Sequence, residues 1–217
     1  HVRRYKYDGL DYRDLNDLQM LTQNQPYGAI DGQLVRNDDG RTFSYQLEVV
    51  HWQDQVPAWL QSMSVNQGDS DEVSFYDWAD RNSESWRHLT SKGQTKWPHP
   101  YLSFFVPYEK SLEMAEYIQK TPIANFGAHS IKIMPLRNQA FTRPFFQFSG
   151  DGLTAYFRIE RVVETGEGQP DHQMMLKANI ELLLPKIFEM GGKVHLPHSP
   201  LLNASQLASQ FALPLAP

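Results

Sequence analysis

Residues 98–107 read Pro98-His99-Pro100-Tyr101-Leu102-Ser103-Phe104-Phe105-Val106-Pro107, and this stretch decides how the middle of the chain is organised. The residues from Tyr101 to Val106 are mostly apolar and rich in aromatic rings, which is typical of a buried β-strand. Pro107 ends the strand because proline cannot donate a ladder hydrogen bond. The next segment, 109–120, has helical periodicity. The sequence therefore predicts a strand followed directly by a helix.

Strand and helix patterns also alternate on both sides of this stretch. Short β-type runs between turn residues predict strands at 2–7, 29–35, 43–52, 72–76, 130–134, 145–148, 153–163 and 193–196. Helical patterns begin at Asp11, near Trp78, near Asp171 and at Asn203. Paired strands with helices between them predict an α+β fold, in which an antiparallel sheet carries helices mainly on one face. We expect residues 1–217 to form a single domain.

The helix that begins near Asp171 has the clearest pattern. Its apolar residues fall on one stripe, namely Leu176, Ile180, Leu183, Leu184 and Ile187. Pro185 should kink this helix because its ring removes a helical hydrogen bond. Gly191-Gly192 should end it.

The composition restricts the class of function. Hydrophobic residues make up 41% of the chain, which is enough for a packed core. The formal net charge is −5 and the 20 basic residues do not cluster, so neither nucleic acid nor a membrane surface is an expected partner. The absence of cysteine excludes disulfides, thiolate catalysis and cysteine-based metal sites, and a cytoplasmic location is expected. Because the chain starts with His1 rather than Met, we expect it to be a piece of a longer protein.

Several common catalytic motifs are missing from the sequence. It contains no G-x-G-x-x-G or G-x-x-x-x-G-K-[ST] phosphate loop and no G-x-S-x-G nucleophile elbow. His195 and His198 form an H-x-x-H pair, but no acidic residue has a suitable spacing from them, so no metal site is predicted.

Three features could line a ligand site. Arg158 and Glu160 share one face of the predicted strand 153–163, where they would form either an ion-paired surface or the polar wall of a cleft. Asp31 is an acid in an otherwise apolar strand, and is equally consistent with a ligand acceptor and with a turn residue. Aromatic residues, which suit both a core and a site for a flat ligand, form two clusters, Trp78, Trp86, Trp97 and Tyr101, and Phe141, Phe145, Phe146 and Phe148.

Three segments resemble the substrate domain of the cytokinin dehydrogenase-like FAD-linked oxidoreductases. Residues 98–107 resemble the family's H-P-W-L-N-x-F-V-P signature. Residues 27–32, Tyr-Gly-Ala-Ile-Asp-Gly, are similar to its Y-V-E-G strand, and residues 134–138, Met-Pro-Leu-Arg-Asn, to its Y-P-L-N segment. The three segments occur in the family's order, and the resemblance extends loosely over nearly the whole chain.

The resemblance implies that this chain is the substrate-binding cap of a two-domain flavoprotein. In the family, a separate FAD-binding domain carries the flavin, the flavin-linking His and the catalytic Asp, and the cap covers the flavin. FAD and the FAD-binding domain would thus be partners in the parent protein. The parent would oxidise an amine-type or related small organic substrate by hydride transfer to the flavin. The cap by itself would be inactive and would not retain FAD.

The resemblance also implies which residues contact the substrate. The acid of Y-V-E-G falls on Asp31, the Trp and Asn of the signature fall on Tyr101 and Ser103, and an acid of the family's substrate channel falls on Ser85. Glu160 joins this set as a polar contact. Because Tyr101 and Ser103 differ chemically from the family's residues, the substrate need not be a cytokinin. A free-standing α+β ligand-binding or assembly module without catalytic activity is the alternative.

Overall fold

The computed structural model of this chain describes residues 2–7, 30–37, 39, 42–50, 71–96, 100–122, 128–140, 152–161, 172–195 and 202–211. The strands are β1 Val2–Tyr7, β2 Ile30–Arg36, β3 Phe43–Val50, β4 Asp71–Val73, β5 Leu102–Pro107, β6 Ala128–Arg137, β7 Leu153–Arg161 and β8 Lys193–Val194. The helices are α1 Phe75–Ser91, α2 Ser111–Lys120, α3 His172–Ala178, α4 Leu184–Glu189 and α5 Ala204–Phe211. A π-helical turn, Asn179–Leu183, joins α3 to α4.

The eight strands form one sheet in the order β4-β1-β3-β2-β6-β7-β5-β8. All pairings among the described strands are antiparallel. The hairpin predicted between β2 and β3 is present, and its turn is closed by the Thr42 N–H, which donates to Asp39 Oδ1 at 2.9 Å. These observations confirm the α+β fold. Among the described residues, no helix is long and apolar enough to cross a membrane.

One face of the sheet packs against helices α2 and α4. Leu102, Phe104 and Val106 of β5 point to this face and are fully buried. On the neighbouring strand β7, Phe157 stacks on Phe104 with 5.1 Å between ring centroids. The helices complete the same cluster with Met114, Ala115, Ile118, Leu183, Leu184 and Ile187. Burial of each large apolar side chain stabilises the fold by about 1.5–3 kcal/mol, so this core face holds the sheet and helices together.

The apolar stripe predicted for the helix after Asp171 is correct in its second half and wrong at Ile180. Leu183, Leu184 and Ile187 are buried, whereas Ile180 is 40% exposed and Asn179 is fully buried in its place. The π-helical turn 179–183 explains the change, because an inserted residue rotates the preceding turns relative to a continuous α-helix. Pro185, expected to kink the helix, lies in the first turn of α4 directly after this turn.

The glycine pair ends α4 as predicted. Gly191 has a φ of 74°, a left-handed conformation that glycine adopts without strain. Gly192 approaches β5 so closely that a Cβ would collide with the carbonyl oxygen of Phe105. The Gly192 N–H donates to the Ile187 carbonyl at 2.8 Å, which fixes the return of the chain into β8.

The strand predicted at 72–76 is wrong in its second half. β4 ends at Val73, and Phe75 begins α1. Ser74 caps this helix, since its hydroxyl accepts from the Asp77 N–H at 3.1 Å and donates to Asp77 Oδ2 at 2.7 Å. This reciprocal cap satisfies a free N–H at the helix start, which favours a helix over a continued strand.

The other strands predicted within the described residues occur where the sequence placed them, with shifted ends. β6 extends at both ends beyond the predicted 130–134 because it pairs with both β2 and β7. The helix predicted from Asp11, the strand predicted at 145–148, Trp97 and His198 lie outside the described residues.

Candidate functional site

The second face of the sheet carries polar side chains. Along β7, Ala155, Phe157 and Ile159 are buried in the core, whereas Tyr156, Arg158 and Glu160 point the other way and are partly exposed. We call this second surface the polar face and define it by Gln33, Gln46, Ser103, Ser130, Lys132, Tyr156, Arg158 and Glu160. Cross-strand pairing brings these residues together from β2, β3, β5, β6 and β7.

Tyr101, Arg158, Glu160 and Ser130 form a connected group on this face. The Arg158 guanidinium carbon lies 5.0 Å from the centroid of the Tyr101 ring, within cation–π range. Arg158 Nε is 3.0 Å from Glu160 Oε1, and the Ser130 hydroxyl donates to Glu160 Oε2 at 3.0 Å. Burial, and next the negative charge of Glu160, raise the pKa of the Tyr101 phenol. Tyr101 therefore stays protonated at neutral pH and can donate a hydrogen bond.

Ser103 lies beside this group and is fully buried. The Tyr156 hydroxyl donates to Ser103 Oγ at 3.1 Å. Tyr156 was not among the predicted site residues, although the alternation of β7 that singled out Glu160 also places Tyr156 on the same face. Its phenol adds a second flat wall next to Phe105, with 5.2 Å between ring centroids.

The side chains of Asp31 and Ser85, two of the predicted substrate contacts, lie outside the described part of the structure. Asp31 is in β2, and its backbone pairs with Glu48 of β3. Ser85 is in α1, which reaches β3 where Trp78 Nε1 donates to Glu48 Oε2 at 2.8 Å. Glu48 is only 2% exposed, so it belongs to this helix contact. The structure thus brings together Tyr101, Ser103 and Glu160.

A buried arginine fixes the start of β5 from the core side. Arg161, the last residue of β7, donates to Asn179 Oδ1 at 2.5 Å and to the Pro100 carbonyl at 3.3 Å. Burial lowers the pKa of Arg161 to about 10, which leaves the guanidinium charged at neutral pH. Because Pro100 directly precedes Tyr101, these contacts help to set the position of Tyr101. Neither Arg161 nor Asn179 was predicted, since neither residue has a local sequence signal.

The polar face can bind and orient a small organic molecule. It offers a phenol donor, two cations and two aromatic walls within neighbouring strands. His195 directly follows β8, and its backbone N–H donates to the Ser103 carbonyl at 2.8 Å. In the described ranges, no three His, Asp or Glu side chains converge as metal ligands.

Solved structures with the same fold exist for plant proteins. The chain aligns with the structure of BBE-like #28 from Arabidopsis thaliana at a TM-score of 0.54 and 10% identity, over 92% of this chain and 46% of that one. It aligns with the Bermuda grass isoallergen BG60, a pollen group 4 allergen, at a TM-score of 0.54 and 11% identity, over 99% of this chain and 49% of that one. The chain therefore spans about half the length of each. No protein-family model matches the sequence, and no curated protein sequence does.

Proposed function

We propose that this chain is the substrate-binding domain of an FAD-dependent oxidoreductase, with the polar face as the wall of its substrate site. The observation that carries the proposal is the shared fold, since nearly all of this chain aligns with about half of a BBE-like protein. BBE-like proteins are FAD-linked oxidases. The resemblance to cytokinin dehydrogenases supports the same division into a flavin-binding part and a substrate-binding part. We propose an amine-type or related small organic molecule as the substrate.

The residues of this chain fit a position beside the flavin and the substrate rather than a site that holds the whole cofactor. The sequence contains no glycine-rich loop for a pyrophosphate, so the phosphates of FAD would be bound by the FAD-binding domain. The polar face offers phenol rings and hydrogen-bond donors, which suit a flat ligand. FAD, when bound, supplies the chemistry by accepting a hydride from the substrate.

The role of the polar face is to bind, orient and shield the substrate. Tyr101 keeps its proton and donates a hydrogen bond, while Glu160 holds Arg158 at 3.0 Å, in contact with the Tyr101 ring. Ser103 and Tyr156 fix each other by their hydroxyl contact at 3.1 Å. Side chains positioned in this way restrict the substrate to a few orientations and exclude water from the reacting bond.

The test uses the flavin-containing parent protein. Anaerobic bleaching of the flavin is followed after mixing with a panel of amines and alcohols, and the best substrate is then used to compare Tyr101→Phe with Tyr117→Phe. Tyr117 is the matched control, because its hydroxyl lies on the helix side and contacts the Leu182 carbonyl at 3.4 Å. Because Tyr101→Phe removes one neutral hydrogen bond, the flavin of this variant should bleach about two- to tenfold more slowly than that of the native parent.

Tyr117→Phe should bleach at the normal rate, and flavin content should be unchanged in both variants. A parent without flavin, or one whose bleaching responds to neither substitution, would favour the alternative of a ligand-binding or assembly module.

A further inference from the structure

A buried polar cluster lies under the start of β5, on the helix side of the sheet. It consists of the side chains of Arg161 and Asn179, which are both fully buried, and the backbone carbonyl of Pro100. Arg161 Nη1 donates to Asn179 Oδ1 and, at 3.3 Å, to the Pro100 carbonyl. Asn179 Nδ2 donates to the same carbonyl at 3.5 Å. The two lone pairs of this carbonyl oxygen thus accept from two buried side chains.

The carbonyl of Pro100 belongs to the peptide group that leads into Tyr101. A peptide group is planar, so its oxygen and the Cα of the following residue move together. β5 begins at Leu102, which places Tyr101 just before the strand. Donors that hold the Pro100 oxygen from the helix side therefore also fix the point from which the Tyr101 side chain extends over the polar face.

Stability alone explains this cluster poorly. Burial of a charged guanidinium costs free energy even when the group is hydrogen-bonded, and well-packed apolar residues in its place often stabilise a core equally well. Asn179 is also the first residue of the π-helical turn, and such turns occur frequently at functional sites. A buried hydrogen-bonded network holds its neighbours in one arrangement, which is what a substrate site requires of its walls.

We infer that Arg161 and Asn179 are positioning residues for the proposed reaction and that they set the position of Tyr101. Both act through the Pro100 carbonyl from the helix side of the sheet, so neither contacts the substrate. They hold the Tyr101 phenol where it donates a hydrogen bond to the substrate and where its ring lies 5.0 Å from the guanidinium carbon of Arg158. The role in the reaction rests on the proposed function, whereas the position of the ring can be measured independently of it.

The test compares two buried hydrogen bonds at opposite ends of β7 in the flavin-containing parent. Asn179→Ala removes the acceptor of Arg161 at one end. Thr154→Val is the matched control at the other end, where the buried Thr154 hydroxyl donates to Asn138 Oδ1 at 2.5 Å. Each substitution should lower the melting temperature by a few degrees, because each removes a buried side-chain hydrogen bond. A difference between the two in substrate oxidation therefore reports position rather than stability.

Asn179→Ala should slow bleaching of the flavin by the best substrate about two- to tenfold, as Tyr101→Phe does, while Thr154→Val bleaches at the native rate. In the Tyr101→Phe background, Asn179→Ala should slow bleaching little further, because the hydrogen bond that it misplaces is already absent. Asn179→Asp keeps the acceptor and should bleach at nearly the native rate. With fluorotyrosine at position 101, the fluorine resonance should move in Asn179→Ala and stay in place in Thr154→Val.

Arg161→Lys replaces Asn179→Ala if that variant does not fold, since lysine keeps the charge but lacks the fork that reaches two acceptors. Two results would overturn the inference: a Tyr101 resonance that stays in place in Asn179→Ala, or bleaching that slows equally in Asn179→Ala and Thr154→Val. Slower bleaching in Tyr101→Phe but not in Asn179→Ala would support the proposed function and contradict the positioning role. A Tyr101 resonance that moves only in Asn179→Ala, in a parent that no substrate bleaches, would support the control of Tyr101 and contradict the proposed function.

Discussion

The two faces of strand β7 divide stability from recognition. Phe157 and Ile159 point to the core and are fully buried, whereas Arg158 and Glu160, their immediate neighbours, point to the polar face and form an ion pair. Both sets follow from the same alternation of side chains along a strand. The core face therefore tolerates little change in side-chain volume, whereas the polar face can vary in charge at small cost to the fold and is free to specify a ligand.

The largest expected effect is on the core face. Phe157→Ala removes the ring that stacks on Phe104 and should lower the free energy of unfolding by about 3–5 kcal/mol. Tyr156→Phe, one residue away on the polar face, should lower it by about 1 kcal/mol or less. Urea denaturation of both variants measures the contrast, and equal losses would contradict the division between the two faces.

The second expected effect concerns the buried arginine that links the faces. Asn179→Ala removes the acceptor for Arg161 and should cost about 1–3 kcal/mol of stability. Asn179→Asp restores an acceptor and adds a compensating charge, so it should cost less.

The pH dependence of this effect follows from the pKa of Arg161. Burial lowers that pKa to about 10 in the folded protein, from 12.5, which means that folding disfavours the charged guanidinium. Loss of the acceptor should lower this pKa further, so the destabilisation by Asn179→Ala should be largest near neutral pH, decrease as the pH rises toward about 10, and stay small above it. A destabilisation that already disappears near neutral pH would contradict a buried charged guanidinium at this position.

A third prediction separates binding from stability on the polar face. Glu160→Gln removes the partner of Arg158 from a partly exposed ion pair, and should change unfolding free energy by about 1 kcal/mol or less. The same substitution removes the charged partner of Arg158, which lies against the Tyr101 ring, so the best substrate should bleach the flavin of the parent several-fold more slowly. Calorimetric melting and the bleaching rate measure the two quantities. A large loss of stability with an unchanged bleaching rate would place Glu160 with the structural residues.

The smallest expected effect is a change in one tyrosine titration. Burial, and next Glu160, raise the pKa of Tyr101 above its usual value of 10.0. Since the folded state disfavours the ionised phenol, this residue should reduce stability only as the pH rises above about 10, the pKa of an unfolded tyrosine. Ultraviolet titration of tyrosinate, with Tyr101→Phe as the subtraction, should show this pKa moving back toward 10.0 in Glu160→Gln. An unchanged titration would mean that Glu160 does not act on the phenol.

The sequence predicts the sheet better than the site because strand patterns are local and site contacts are not. The stretch 101–106 and the alternation of 153–161 were enough to predict β5 and β7, since burial every second residue has a direct sequence signal. Glu160, Tyr101 and Ser103 were also predicted as site residues, and the structure places all three on or beside the polar face.

The features that the sequence did not predict depend on register and on helix irregularity. Lys132 lies opposite Arg158 because β6 pairs with β7 in this register. Patterns in a single sequence do not define a cross-strand register, so this juxtaposition was not predicted. Asn179 reaches Arg161 because a π-helical turn rotates it inward, while regular helical spacing placed Ile180 there. Both features depend on tertiary structure, which local propensity does not encode.

Fluorine NMR can show directly which face of the sheet is directed toward the flavin. Fluorotyrosine is placed in the flavin-containing parent at position 101, 156 or 117, and fluorine NMR spectra are recorded before and after anaerobic reduction of the flavin with dithionite. We expect the resonances at Tyr101 and Tyr156 to shift on reduction, while that at Tyr117, on the helix side, stays in place. A shift at Tyr117 with none at Tyr101 and Tyr156 would contradict it.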